Sequence, residues 1–323
     1  MMAVLFAEAV LVACNCVTST PVRGAAPSLL PEGAKLALAW HDEFDGDRLD
    51  EAKWSYRTNF WGRPASWFAR PEDGCVEVMD GTCRMRPKKL ADGRVVSPQL
   101  QTGELVWDRL RDGKTGFWPY AKMDRPKFAQ CYGYFECRCR LQRERGWWSA
   151  FWMQSETQGA CLDPARAGIE HDIMECFNPG HPKQHHFHYN GYGVDHVVFK
   201  AEREHGDDPE WYYSVDPDLF HTFGLLWEPD GYTVFIDGKQ AGYKVGTDAS
   251  YSEAVSHVPE FILLTTEVNG GRDSRKTGKD YSKDPAVVSL VEKGDLFEVD
   301  FVRVYSLVGE RADCRKMQKE RLP

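Results

Sequence analysis

Three acidic residues fall within six positions in Gly168-Ile169-Glu170-His171-Asp172-Ile173-Met174-Glu175-Cys176-Phe177, a run whose other members are mostly apolar. Carboxylates in an apolar run are expensive to bury unless they have partners or a task. Two carboxyls facing one sugar can divide the work. An ionised one attacks the anomeric carbon and a protonated one donates to the departing oxygen, about 5–5.5 Å apart in retaining glycosidases. Asp172 would be a third participant, orienting the attacking group by a hydrogen bond. The competing reading is a solvated edge strand with its acids on the surface, but Ile169, Ile173, Met174 and Phe177 make the run look internal.

Such chemistry needs the three side chains on one face. Alternation puts Glu170 and Asp172 together and sends Glu175, at odd spacing, to the other side. A β-bulge at Ile173-Met174 repairs this, because two residues then oppose one on the neighbouring strand. Glu170 and Glu175 would then sit roughly 13 Å apart at Cα, four strand steps, with carboxyls leaning together across a concave face.

Strand signals dominate residues 36–308, and helical periodicity is scarce. The strand segments are 131–142, 147–154, 169–177, 185–190, 221–228, 260–268 and 297–306. Asp237-Gly238 between Tyr232-Thr-Val-Phe-Ile236 and Lys239-Gln-Ala-Gly-Tyr243 predicts a hairpin. Residues 58–70 and 107–130 read as long loops able to wall a cleft. Many short strands with few helices indicate an all-β fold, a jelly-roll sandwich of two antiparallel sheets.

The chain has 323 residues, 40 Lys+Arg against 49 Asp+Glu and a formal net charge of −9. With no basic stripe, nucleic acid is not an expected partner. Residues 1–16 are mostly apolar, with Glu8 inside the run, and too short to span a bilayer, which suggests an export signal. Leu11-Val12-Ala13-Cys14 resembles a lipoprotein processing box, so Cys14 is a candidate lipid anchor; a misassigned start or a buried apolar segment are the alternatives. Residues 17–35 read as a tether, 36–308 as one catalytic domain and 309–323 as a tail. Eight Cys outside the leader are an even number, compatible with disulfides, although buried free thiols are the default expectation.

Further landmarks surround the acidic run. Trp40-His41-Asp42-Glu43-Phe44-Asp45-Gly46 precedes it, as do Tyr132-Gly-Tyr134-Phe-Glu136 and Gly146-Trp-Trp148-Ser-Ala150-Phe-Trp152. Phe223-Gly-Leu-Leu-Trp227-Glu-Pro-Asp230, Phe235-Ile-Asp237-Gly238-Lys239 and Val299-Asp300-Phe-Val302-Arg303-Val304-Tyr305 follow. Together with Glu-x-Asp-x-x-Glu, this ordered set resembles glycoside hydrolase family 16 over residues 36–306. The resemblance implies a β-jelly roll, Glu170 as nucleophile and Glu175 as acid/base. The spacing is similar to the laminarinase, agarase and carrageenase branches. His171 departs from the family, which commonly has an apolar residue there; alternation points it into the layer behind the cleft.

Trp148, Trp227 and Trp61 are candidates for stacking on sugar rings, with Trp152 sharing the parity of Trp148. Trp54 reads as structural. The resemblance also implies a sugar-contacting His188, and Glu267 and Asn269 in a polar segment like that of agarase-like members; their plainer reading is a strand end leading into an Asn-Gly turn. A zinc reading of His181, His185, His186 and His188 lacks an HExxH pattern or a Cys pair. Asp45, Asp47 and Asp50 lack EF-hand spacing. Many family members hold one structural calcium opposite the cleft, and Glu43 and Asp300 occupy the matching segments. No organic cofactor is implied.

The expected protein is therefore an exported, monomeric, retaining endo-β-glycosidase acting on a polysaccharide such as β-1,3-glucan or a galactan. Hydrolysis of host mucin-type glycans and transglycosylation on the same scaffold are rivals. A non-catalytic carbohydrate-binding protein would not need both glutamates.

Overall fold

A computed structural model of the chain describes residues 25–58, 67–104, 112–117, 126–183, 186–189, 194–195, 197–200, 214–241, 255–268 and 280–309. The strands of the first half are β1 (Leu36–Asp42), β2 (Ser55–Tyr56), β3 (Val76–Met79), β4 (Thr82–Met85), β5 (Lys88–Lys89), β6 (Val95–Val96), β7 (Gln99–Gln101), β8 (Gly133–Arg140) and β9 (Trp147–Ser155). After the one-turn helix α1 (Pro164–Ala167) come β10 (Glu170–Asn178), β11 (His181–Lys183), β12 (His186–Tyr189) and β13 (Val197–Lys200). The chain continues through β14 (His221–Glu228), β15 (Gly231–Ile236), β16 (Lys239–Gln240), β17 (Glu260–Val268), helix α2 (Pro285–Glu292) and β18 (Phe297–Leu307).

These strands make two large antiparallel sheets. The back sheet runs β16-β15-β14-β8-β18-β4-β3, with β1 added to β18. The site sheet runs β13-β12-β10-β9-β17-β7-β2, with β11 beside β10. Alternation then divides each strand between core and outside. Phe135, Cys137, Phe223, Leu225, Val302 and Val304 from the back sheet meet Phe151, Met153, Met174, Ile262 and Leu264 from the site sheet in one buried cluster. The Asp237-Gly238 turn has φ of 49° and 74°, both positive as a tight hairpin requires.

The sequence reading did not anticipate α2. Asp284 caps it by accepting from the Ala286 N–H at 2.8 Å, Pro285 stands at its first turn, and Val287 and Val291 bury against Trp67, Val95, Trp147 and Val268. Eight residues give too little periodicity to stand out.

The seven cysteines among the described residues are all free thiols, as the default expectation had it, and five of them are buried. Burial pushes the Cys75 and Cys176 thiols up to about 12, which keeps them protonated and inert.

The outer face of the back sheet is closed by the segment before β1. Tyr134, Leu226, Phe235 and Tyr305 form an apolar patch against which Leu30 of that segment and Leu36 and Leu38 of β1 pack. Polar ties fix the strap: the Tyr134 hydroxyl donates to Leu29 O at 3.0 Å, Ser28 Oγ lies 2.5 Å from the Tyr305 hydroxyl, and Leu29 N donates to Glu136 Oε2 at 3.2 Å. Glu136 has no exposed surface, and burial raises its carboxyl to about 7.

A raised carboxyl favours folding below its unfolded value of 4.5, and that advantage is lost as pH rises through 7. The expected result is that wild type loses roughly 3 kcal/mol relative to Glu136→Gln between pH 4.5 and 8. Paired urea unfolding curves at several pH values check this; parallel pH dependences for the two proteins would contradict it.

Candidate active site

Strand β10 crosses the middle of the site sheet between β9 and β12. Against β9, Asp172 pairs with Trp152 and Met174 with Phe151, so Ile173 is an extra residue and the register shifts there. Ile173 and Met174 consequently both enter the core. Glu175 pairs with Ala150 and returns to the face that carries Glu170 and Asp172. The three carboxylates keep 6%, 5% and 7% of their surface, whereas His171, Met174 and Cys176 on the other side keep none. The predicted bulge is thus present, and it does what alternation alone could not.

The same outer face supplies their neighbours. Trp148, Ala150 and Trp152 project from β9, and Thr265 and Glu267 project beside them from β17, paired with Ala150 and Trp148. Trp148 Nε1 donates to Glu175 Oε1 at 3.1 Å, and its ring stacks on Phe177 at 5.0 Å between centroids. Trp152 Nε1 donates to Thr265 Oγ1 at 3.2 Å, and Gln99 Nε2 donates to Glu267 Oε1 at 3.0 Å. Arg57, fully buried, donates to Gln154 Oε1 at 2.9 Å and places its guanidinium over the Trp152 ring. Sequence reasoning singled out neither Gln99 nor Arg57; both lie far along the chain from the residues they contact.

The Trp148 contact gives a direct test. Trp148→Phe keeps an aromatic ring beside Phe177 and removes only the N–H that reaches Glu175. A hydrogen bond to an uncharged carboxyl contributes about 0.5–1.5 kcal/mol. Steady-state assays should show kcat/KM lower by up to roughly 10-fold at unchanged melting temperature. Wild-type kinetics in this variant would remove the contact from the working site.

Other expected residues fall differently. His188 stands opposite Glu170 on β12 in the backbone register, and its side chain lies outside the described residues, as do Trp61 and Asn269. Trp227 is a correction: it is not in the cleft. It shares the inward parity of Phe223 and Leu225 on the back sheet, has no exposed surface, donates Nε1 to Ser256 O at 3.2 Å and packs against Tyr132 and Tyr232.

The two residues read as calcium ligands, Glu43 and Asp300, have arginine partners in the structure. Both Glu43 oxygens accept from Arg303, at 2.8 and 2.6 Å, and Asp300 is paired with Arg138. Arg303 Nη1 further donates to Ala26 O at 2.9 Å and Ser28 Oγ at 2.8 Å. Carboxylate, carbonyl and hydroxyl are oxygen donors that suit a hard cation, but here a guanidinium already holds them. Among the described residues no three His, Cys, Asp or Glu side chains converge as a metal site.

Comparison with known proteins bears on this carboxylate face. The family described as beta-porphyranase A-D, GH16 domain, matches residues 36–307. The chain belongs to glycoside hydrolase family 16. It is 25% identical to beta-porphyranase B of Phocaeicola plebeius over 313 residues, covering 86% of this chain and 87% of the relative. It is 26% identical to glucan endo-1,3-beta-glucosidase A1 of Niallia circulans over 291 residues, 85% of this chain but 38% of that longer protein. The laminarinase structure from Rhodothermus marinus superposes with a TM-score of 0.54 at 22% identity, covering 85% and 99% of the two chains, and shows the shared jelly-roll fold. This family 16 chain is accordingly a glycoside hydrolase, and its relatives are named as endo-acting glucanases and porphyranases.

Proposed function

We propose that the protein is a retaining endo-β-glycanase whose double displacement runs on Glu170, Asp172 and Glu175. The observation that carries this is the Ile173 bulge, which brings all three carboxylates to one nearly buried face with the Trp148 N–H on Glu175. The Glu170 carboxylate attacks the anomeric carbon as the glycosidic C–O bond breaks, and Glu175 gives its proton to the departing oxygen. Glu175 then takes a proton from water, which attacks the same carbon and releases Glu170. Asp172, between them on the strand, orients the nucleophile.

The substrate favoured is a red-algal galactan of the porphyran type. The matched family carries that description, and beta-porphyranase B aligns along nearly its whole length. A β-1,3-glucan is the second reading, favoured by glucan endo-1,3-beta-glucosidase A1. A secreted or lipid-anchored monomer would fit a polymer too large to enter a cell.

The test is chromatography of products from porphyran, agarose, carrageenan, laminarin, mixed-linkage glucan and mucin, with Glu170→Ala as the control. Oligosaccharides from porphyran support the reading, laminarin products move it to the glucan, and mucin products move it to host glycans. The anomeric configuration of the first products, followed by NMR, must be retained. Inversion would remove the covalent step, and elongated products at high acceptor concentration would make the chain a transglycosylase.

A further inference from the structure

His171 lies between Glu170 and Asp172 in sequence but faces the opposite way, into the layer between the sheets, where neither it nor Glu260 has any exposed surface. Its Nδ1 is 2.5 Å from Glu260 Oε2. The other oxygen of the same carboxylate accepts the Ile169 N–H at 3.2 Å. One side chain therefore holds the residues on both flanks of Glu170.

Glu260 is itself anchored. It opens β17 opposite Ser155, and its backbone exchanges two hydrogen bonds with Gln130, each 3.0 Å. Gly168 permits the approach: at φ +76° it passes so close to Ser155 that a Cβ would meet its Oγ at 2.2 Å. On the other side the imidazole is walled by Tyr232 and Trp227 of the back sheet, with centroids 4.5 and 5.4 Å away. Placing an ionisable pair in a dry layer is costly, and apolar residues of similar volume often do as well or better for stability. Its placement astride Glu170 gives it a use that stability does not.

We propose that the Glu260–His171 pair is a positioning device for Glu170: it fixes the backbone of residues 169–171 and so the point at which the nucleophile enters the site. This rests on the reading of Glu170 as nucleophile. A misplacement of about 1 Å can cost on the order of 10²-fold in rate, so the pair should act on kcat and leave polysaccharide binding alone.

The experiment compares Glu260→Leu, the double variant Glu260→Leu/His171→Ile and the conservative Glu260→Gln, measuring melting temperature, kcat and KM on porphyran and on laminarin. Glu260→Leu should lower kcat roughly 10²-fold with KM within about 3-fold. The double variant should regain part of the melting temperature, because no charged side chain is left stranded and only the Ile169 N–H loses its acceptor, and yet keep the low kcat. Glu260→Gln, which preserves shape and one acceptor, should recover part of kcat and stays informative if either apolar variant does not fold. Recovery of kcat together with stability in the double variant, or wild-type kcat in Glu260→Gln and Glu260→Leu, overturns the positioning role. Glu170→Ala with added azide runs beside them. An α-linked glycosyl azide identifies Glu170 as nucleophile, so that a wild-type kcat then counts against the positioning alone, whereas its absence counts against the nucleophile itself.

Discussion

Glu170→Ala and Glu175→Gln each yield a folded protein whose release of oligosaccharide from polysaccharide falls by at least about 10²-fold, and the two losses differ in kind. Without Glu170 no covalent intermediate can form, so the expected drop in kcat exceeds about 10⁴-fold whatever the leaving group. Without a proton on residue 175 the nucleophile is intact and only the departing oxygen is unassisted, a loss of about 10²–10⁴-fold. That second loss should shrink on an aryl glycoside, whose phenolate departs without protonation. Neither change disturbs the core, because both side chains leave from the outer face of β10 while Ile173, Met174 and Cys176 pack behind it. Circular dichroism identical to wild type is part of the expected result. Near-normal turnover in either variant would remove the assignment, and equal losses on aryl and sugar leaving groups would reassign Glu175.

Arg303→Ala should cause the largest loss of stability, by leaving the Glu43 carboxylate buried at 7% exposure without its bidentate partner and by freeing Ala26 O and Ser28 Oγ at once. Removing one member of a buried pair costs about 3–5 kcal/mol. For a domain of this size that corresponds to a fall in melting temperature of roughly 10 °C. Wild type should melt at the same temperature with a chelator and with added calcium, because the guanidinium occupies the oxygen donors. A rise on adding calcium to wild type, or a melting temperature in Arg303→Ala within a degree or two of wild type, would refute the account.

The order of the long strands was legible because their patterns are strong. Segments 147–154, 221–228 and 260–268 are observed as Trp147–Ser155, His221–Glu228 and Glu260–Val268. The bulge was legible for a chemical reason: three carboxylates with one at odd spacing can share a face only if one residue is added. The inward direction of His171 followed from alternation, but its partner did not. Glu260 is 89 positions away and reads as an ordinary polar residue opening an apolar strand.

Trp227 was misplaced by similarity of its surrounding motif, although its parity with Phe223 and Leu225 already pointed inward. The sequence reading of Glu43 and Asp300 as calcium ligands overlooked a residue only three positions from Asp300. Arg303 is a cation built into the chain, and a ligand search restricted to acidic residues passes over it. Short strands such as Ser55–Tyr56 and Lys88–Lys89 exist only through their pairing and leave almost no pattern to read.

The strap of residues 26–30 lies across the outer face of the back sheet, on the side of the sandwich away from Glu170. The described chain therefore enters the fold from the rear of the molecule, away from the carboxylate face. A support that holds the protein at this strap would leave the carboxylate face turned away from it. Attachment through the site face would instead press the working surface against its support.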